Sequence, residues 1–268
     1  MTDTETWTAT VVAVHRPAPR LVRITLDPPV GTAPWRTTGL PDECCALAVP
    51  VPGAGPARRY YTVRAVRPDG LDVDLVLHGH GPATEWAARA AVGDVVSLDA
   101  PRGWWSPPVD TEWIGLCGDA TALPAVGRVL DERGPGGPPV VVVLAVAPAD
   151  LPVLRLRADD ELLLTDDAGL VPAALALTDR PAPGYLWFAG EAAGMRAVRT
   201  RLRRELRRPA ERWTTMAYWR RDGEAWLARL DAAGPELEAR LAAVHTTDED
   251  EETQLDRYEA LLDEAGLS

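Results

Sequence analysis

The feature that most limits this chain is a change of rhythm at Pro107-Pro108. Before it, from Thr8 to about Ala100, short apolar or alternating runs are broken by Pro and Gly: TATVVAVHR, LVRITLD, CALAVPV, YYTVRAV, LDVDLVLHG and DVVSLDA. Six candidate strands at short spacing predict a small antiparallel barrel or sandwich. Leu71, Val73, Leu75 and Leu77 alternate with Asp72, Asp74 and Val76, the period of a half-buried strand. One Ala-rich stretch, 83–91, entered through Gly81-Pro82, reads as a short helix.

After the prolines, strands alternate with helices. WIGLC (113–117) ends in Gly118 and precedes a helical pattern over Ala122–Arg133. The run Val140–Val146 is continuously apolar and β-branched, as in a parallel strand buried on both faces. YLWFA (185–189) ends in Gly190, and Met195, Val198, Leu202 and Leu206 then line one face of a helix predicted from Ala192 to about Arg208. TTMAYW (214–219) is a further strand, so a doubly wound α/β domain is expected. Past Gly234, Leu237, Leu241 and Val244 form one amphipathic stripe and Leu255, Tyr258 and Leu262 another, around the acidic run Asp248–Glu252. Three parts result: 1–109, 110–225 and a helical C-terminal extension, 226–268.

Charge excludes one class of partner. The net charge is −12, of which residues 235–268 carry −9, so a nearly balanced body bears an acidic tail. No Lys occurs, and the balance has the wrong sign for gripping a nucleic-acid backbone. Three Cys, two of them adjacent (Cys44, Cys45), form neither a disulfide framework nor a metal knuckle, and four scattered His with no acidic motif beside them predict no metal site. The longest apolar run, Val140–Ala147, is far short of the roughly 20 residues that span a bilayer. No leader pattern is read at the start, so a cytoplasmic protein without membrane insertion, compatible with a monomer, is expected.

Two strand-to-helix turns on one sheet, Gly118-Asp119-Ala120-Thr121-Ala122 and Gly190-Glu191-Ala192, stand where open α/β sheets bind nucleotides. Either is equally a plain helix entry capped by Thr121 or Glu191. In the barrel half, RRYYTVR (58–64) sets Arg and Tyr on alternating strand positions, which serves ordinary cross-strand pairing or supplies an aromatic face, a hydroxyl and a guanidinium to a ring and its phosphates. His78-Gly79-His80-Gly81-Pro82-Ala83-Thr84 feeds a helix start and fits a pyrophosphate cradle. Arg155 and Arg157, after the 140–146 strand, could meet a 2′-phosphate. The eight Arg between Arg196 and Arg212 read as a solvated face pairing with acids.

The strings RRYYTVRAV, DLVLHGHGPATEWAARAAVGD, APRGWW, GLCGDATALPAVGRVL, YLWFAGEAAGMRAVRTRLRRE and AYWRR, in that order, closely resemble the siderophore-interacting proteins, a branch of the ferredoxin reductase-like flavoproteins. The resemblance spans residues 8–222. It implies a two-domain ferredoxin reductase-like fold: an N-terminal flavin-binding antiparallel β-barrel, then a C-terminal NAD(P)H-binding doubly wound parallel sheet. The implied cofactors are FAD and NADPH or NADH, and the implied partner is a ferric siderophore. By the same resemblance Arg59 meets the flavin pyrophosphate, with Tyr60 beside it, Tyr61 packs on the isoalloxazine and Thr62 lies near N5, the last two being the catalytic pair. His78, Gly81, Ala83 and Thr84 hold FAD phosphates; Asp119, Thr121, Ala122 and Glu191 line the nicotinamide side. Trp219, Arg220 and Arg221 match the family's terminal Tyr-Trp-Arg-Arg with Tyr218 and are assigned to substrate. His80 stands where the family usually carries an acid, and Arg must serve where some members use Lys. The expected activity is reduction of a ferric siderophore by NAD(P)H through FAD, releasing Fe(II). A different flavin-dependent oxidoreductase, in secondary metabolism or electron transfer, or a non-catalytic siderophore-binding module, would use the same scaffold.

Overall fold

In the computed structural model, residues 5–51, 53, 55–77, 81–181, 183–244 and 251–267 are described, those at 224, 251 and 252 without their side chains. The chain forms two compact units, Met1–Tyr218 and Trp219–Ser268.

The first unit begins with a closed six-stranded barrel. Its strands β1 (Thr6–Ala18), β2 (Leu21–Leu26), β3 (Cys44–Val49), β4 (Ala57–Arg67), β5 (Gly70–Val76) and β6 (Val95–Asp99) run in the order β1-β2-β5-β4-β3-β6, with β6 returning to β1. Every neighbouring pair is antiparallel. Val11, Ile24, Leu47, Val73 and Leu98 fill the interior from alternate strand positions. Helix α1 (Pro82–Arg89) plugs one end with Ala83, Trp86 and Ala87.

The six strands expected before Pro107 are all present, but the half-buried reading of β5 is corrected: Gly70–Val76 is buried throughout. Its polar face is covered by opposite charge. Arg23 grips Asp74 with two bonds, Nε to Oδ1 at 2.6 Å and Nη2 to Oδ2 at 2.8 Å. Asp72 accepts from Thr25 Oγ1 at 2.7 Å and from Arg67. Alternation of Leu with Asp signals the inward face correctly, and it cannot tell a solvated outer face from one satisfied by guanidinium groups.

A five-stranded sheet follows, in the order β11-β10-β7-β8-β9, built from β7 (Trp113–Asp119), β8 (Val140–Ala145), β9 (Glu161–Leu164), β10 (Gly184–Glu191) and β11 (Trp213–Trp219). The pairs β10·β7, β7·β8 and β8·β9 are parallel. Helix α2 (Leu123–Glu132) packs on one face with Ala125, Val126 and Val129, while α3 (Asp167–Ala176) and α4 (Ala192–Thr200) cover the other with Leu170, Met195 and Val198. Two elements around this sheet escape sequence reading: β9, four residues long and not β-branched, and α3, which contains Gly169 and Pro172 and is held by its N-cap, Asp166 accepting from Gly169 N–H at 2.8 Å. The helix expected to reach about Arg208 ends at Thr200. It widens into a π turn over Arg201–Glu205, closed by Leu206 N–H to the Arg201 carbonyl at 2.9 Å, and Arg207 then takes a positive φ of 49° ahead of Pro209.

The second unit holds three helices, α5 (Gly223–Ala233), α6 (Pro235–Val244) and α7 (Glu251–Glu264). Leu237, Leu241, Leu262 and Leu267 form its core, and Trp226 Nε1 donates to the Leu267 carbonyl at 2.6 Å. The two expected amphipathic stripes lie on α6 and α7. Helix α5 has no counterpart in the sequence reading, and the break at 245–250 lies outside the described residues. Among the described residues no helix is long and apolar enough to cross a membrane.

Asp160 anchors the amino end of β8: Arg133, Arg157 N–H and Val140 N–H all donate to it. Burial pushes its carboxyl up, and those donors more than offset this, leaving it below the ordinary aspartate value. Because the folded-state value lies below the unfolded one, this stabilisation is complete above about pH 4 and is lost as pH falls through the folded value. Asp160→Asn is therefore expected to lower the urea midpoint at pH 7 and to flatten its decline between about pH 4 and pH 2. The check is a set of urea titrations across that range.

Candidate functional site

The strand order reverses beside β7: β8 and β9 extend to one side, β10 and β11 to the other. The crevice at the carboxyl ends of β7 and β10 is thus the place where an open parallel sheet receives a ligand. Asp119 closes it. Its Oδ1 accepts from Thr121 N–H at 2.8 Å and Thr121 Oγ1 at 2.5 Å, and its Oδ2 accepts from Glu191 N–H at 3.0 Å, tying the two loops together. Glu191 in turn caps α4 by accepting from Ala193 N–H at 2.7 Å. A Cβ at Gly118 would fall 2.4 Å from both Ala122 Cβ and the Ala189 carbonyl, and one at Gly190 would fall 2.7 Å from Asp119 Oδ2. Asp119, Thr121, Ala122 and Glu191 are therefore assembled in one place, with their side chains shaping the loops and the backbone lining the crevice.

The barrel meets the sheet along a buried polar seam. Asp42, fully buried ahead of β3, accepts from Trp104 N–H at 3.0 Å, Trp105 N–H at 3.1 Å and Trp187 Nε1 at 3.4 Å. Burial raises its carboxyl, against the pull of those donors. Its neighbour Glu43 accepts from Thr37 Oγ1 at 2.7 Å, Thr38 Oγ1 at 2.5 Å and Gly39 N–H at 3.2 Å. Arg128, a buried cation on α2, donates to the Val63 carbonyl of β4 at 2.7 Å and lies 3.8 Å from Glu43 Oε1. Arg64 of β4 pairs with Asp131 of α2. Sequence reading missed Asp42, Glu43 and Arg128. The available signal was Arg128 itself, a single charge on the apolar face of a helix.

Strand alternation divides the β4 residues. Tyr61 turns inward against the barrel core, and burial pushes its hydroxyl up to about 12. Tyr60 and Thr62 take the opposite side of the strand, Tyr60 half exposed with the Arg58 guanidinium 5.6 Å from its ring centre, and Thr62 buried. Thr62 faces Tyr218, whose Oη is buried without a partner of ordinary hydrogen-bond geometry. Burial first, then nearby Cys44 and Asp42, hold the Tyr218 hydroxyl well above its usual range. The Tyr218 ring stands edge-on to Trp187 at 6.2 Å.

Helix α1 begins at Gly81 with no side-chain cap, and a Cβ at Gly81 would meet nothing within 4 Å. Ala83 packs into the barrel, so Thr84 is the first polar side chain of that helix. His78 lies outside the described residues. Trp219, Arg220 and Arg221 fall in the second unit, where the Arg220 guanidinium sits 4.7 Å from the Trp226 ring centre. Arg157 does not reach the carboxyl edge: its Nη2 donates to the Arg133 and Gly134 carbonyls at 2.7 and 3.0 Å, at the amino end of β8. Of the Arg-rich stretch, Arg201 pairs with Glu205 and Arg212 with Asp110, whereas Arg199 is buried.

This polar lining fits a flavin dinucleotide. The uncapped α1 amides and Arg59 suit phosphate, and the orphaned Tyr218 hydroxyl beside Thr62 offers a donor that a ring heteroatom would satisfy.

The siderophore-interacting FAD-binding domain model matches residues 20–105, and the siderophore-interacting protein model matches residues 111–222. Among curated proteins, the chain is 30% identical over 244 residues to the mycobactin import ATP-binding/permease protein IrtA of Mycolicibacterium thermoresistibile, covering 79% of this chain and 24% of IrtA. It is 29% identical over 178 residues to the ferric vibriobactin reductase ViuB of Vibrio cholerae, covering 62% and 65%. It is 31% identical over 189 residues to an uncharacterized protein of Mycobacterium tuberculosis, covering 62% and 66%. The chain thus spans a quarter of the first of these relatives and just under two thirds of the other two. Of solved structures, the siderophore-interacting protein SipS of Aeromonas hydrophila is 27% identical with a TM-score of 0.68, over 86% of this chain and 98% of that one. The ferredoxin reductase of carbazole 1,9a-dioxygenase, at 20% identity and TM-score 0.60, shares the fold over 80% of this chain and 68% of that one.

Asp119→Ala would leave the amides of Thr121 and Glu191 without their acceptor. It is expected to cost about 3 kcal/mol of unfolding free energy by urea titration, whereas Tyr218→Phe, which removes a partnerless hydroxyl, is expected to be neutral or mildly stabilising in the flavin-free protein.

Proposed function

The chain belongs to the siderophore-interacting protein family, and from that premise we propose that it is an FAD-dependent NAD(P)H ferric-siderophore reductase that releases iron as Fe(II). The observation that carries this reading is the seam itself. The barrel carries a phosphate-ready helix start and the β4 motif residues, and the sheet packed against it carries a clasped carboxyl edge of nucleotide type, which together support the reading. We assign flavin binding to residues 1–109, nicotinamide binding to 110–225 and an accessory role to 226–268. FAD, when bound, supplies the exchange between a two-electron hydride donor and a one-electron acceptor.

Arg59 and the α1 start at Gly81, Ala83 and Thr84 hold the diphosphate, with His78 completing that segment. Thr62 offers its hydroxyl to the isoalloxazine with Tyr60 on the same side of β4, while Tyr61, which the resemblance assigns to the ring, packs against the barrel core on the other side and backs that strand. Buried Trp187 and Tyr185 on β10 keep water from the sheet side of the crevice. The Asp119–Glu191 clasp fixes both nucleotide-side loops, so the nicotinamide approaches preset loops at Thr121 and Ala122. Trp219, Arg220 and Arg221 meet the anionic chelate. Reduction weakens the hold of hard oxygen donors on iron, so electron transfer is also release, and the protein needs no iron ligands of its own. The setting we assign is cytoplasmic, and the reading is compatible with a monomer.

The experiment is anaerobic. Protein loaded with FAD is mixed with NADH or NADPH and then with a ferric catecholate or hydroxamate and a ferrous chelator. Bleaching of the yellow colour followed by trapped Fe(II) is expected; a bleached protein that traps none would assign the scaffold to another electron acceptor. Arg59→Ala is expected to weaken FAD binding at least tenfold without changing the circular dichroism spectrum, checked by equilibrium dialysis.

A further inference from the structure

A second concavity, of about 510 Å³, opens on the same carboxyl edge at the ends of β8 and β9. Arg20 from the β1–β2 turn, Ala145 and Val146 after β8, and Thr165, Asp166 and Asp167 at the entry to α3 line it. In a doubly wound sheet a dinucleotide lies along this edge, with its diphosphate at the first strand-to-helix turn and its adenosine ribose against the strands that follow. A carboxylate there accepts the ribose 2′-hydroxyl, whereas a guanidinium takes a 2′-phosphate.

The charges at this place are unequal. Asp166 Oδ1 is occupied by Gly169 N–H, which removes an α3 amide from anion binding, and Asp166 and Asp167 are both exposed acceptors. Arg20 is the one cation among the lining residues. Its Nε donates to Oδ2 of buried Asp150 at 2.7 Å, and its backbone N–H donates to Oδ1 at 3.2 Å, so its charge is already countered. The other arginines near in sequence are not among the lining residues. Arg133 and Arg157 bind at the amino end of β8, and Arg155 leans toward Asp131 of α2 at 4.0 Å. A phosphate dianion placed here would face two carboxylates; a ribose diol would find two acceptors.

We infer that this cavity takes the adenosine ribose of the hydride donor, and that Asp166 and Asp167 select NADH by excluding the 2′-phosphate of NADPH. The inference rests on the nicotinamide-donor reading proposed above and narrows it.

The test uses the full chain loaded with FAD, and reads binding rather than turnover. ADP-ribose and its 2′-phosphorylated form are titrated calorimetrically at low salt. The wild type is expected to bind ADP-ribose about tenfold more tightly or better. Asp166→Asn with Asp167→Asn, which keeps an N-cap at 166, is expected to narrow that ratio to about threefold or less, chiefly by strengthening the phosphorylated ligand. Arg20→Gln is expected to leave the preference for ADP-ribose in place. A wild type that prefers the phosphorylated ligand, or a ratio unmoved in the double Asn variant, overturns this inference alone. Failure of the wild type to bind either fragment overturns it together with the donor reading.

Discussion

The bond that most constrains how the barrel joins the sheet comes from a buried cation. Arg128 projects from α2 into a place with almost no solvent, where it donates to a strand carbonyl of the barrel and faces Glu43. A charge so placed persists only if its surroundings are fixed, because leaving it unpaired costs several kcal/mol. Arg64 with Asp131, Arg20 with Asp150, and Asp42 with the Trp187 indole add further directional bonds between barrel and sheet. Apolar packing is non-directional, whereas these bonds set one register between the two halves. That register is what a cofactor shared by barrel and sheet requires.

The same economy of side chains shapes the crevice. Asp119 and Glu191 read as ligand-binding acids in the sequence, yet their carboxylates are engaged with loop amides. Their contribution is to hold the two loops in place before a nucleotide arrives, which reduces the ordering that binding must supply. Gly118 and Gly190 permit this by letting strand ends and the Asp119 carboxylate approach where any Cβ would collide. On the barrel side the polar equipment is sparse: an uncapped helix start, a guanidinium and a buried threonine, which the Tyr218 hydroxyl of β11 faces from the sheet.

What the residues disclosed in advance follows from the range of the forces involved. Period-two and period-3.6 patterns are local, so six barrel strands, the β-branched strand β8 and the apolar stripes of α2 and α4 were legible. Long-range pairing is not. Asp72 and Asp74 looked like a solvated face because their partners, Arg23, Arg67 and Thr25, reach them only in the folded barrel. Asp42 and Glu43 were missed, because nothing nearby in sequence announces Trp104, Trp187 or Arg128. Strand β9 is too short to show a period, and α3 depends on its cap rather than on propensity. The glycine-to-helix turns were visible as nucleotide entries, while the use of Asp119 as a clasp needed β10 beside β7.

The central claim is that the seam holds one flavin against Thr62 and Tyr218. Titration of the flavin-free protein into FAD, followed by flavin fluorescence, tests it most directly. The account predicts saturation at one FAD per chain with strongly quenched emission, and loss of both in a Thr62→Val, Tyr218→Ala double variant that keeps the wild-type circular dichroism. Unquenched emission with no saturable uptake, in a protein whose thermal unfolding remains cooperative, would contradict it.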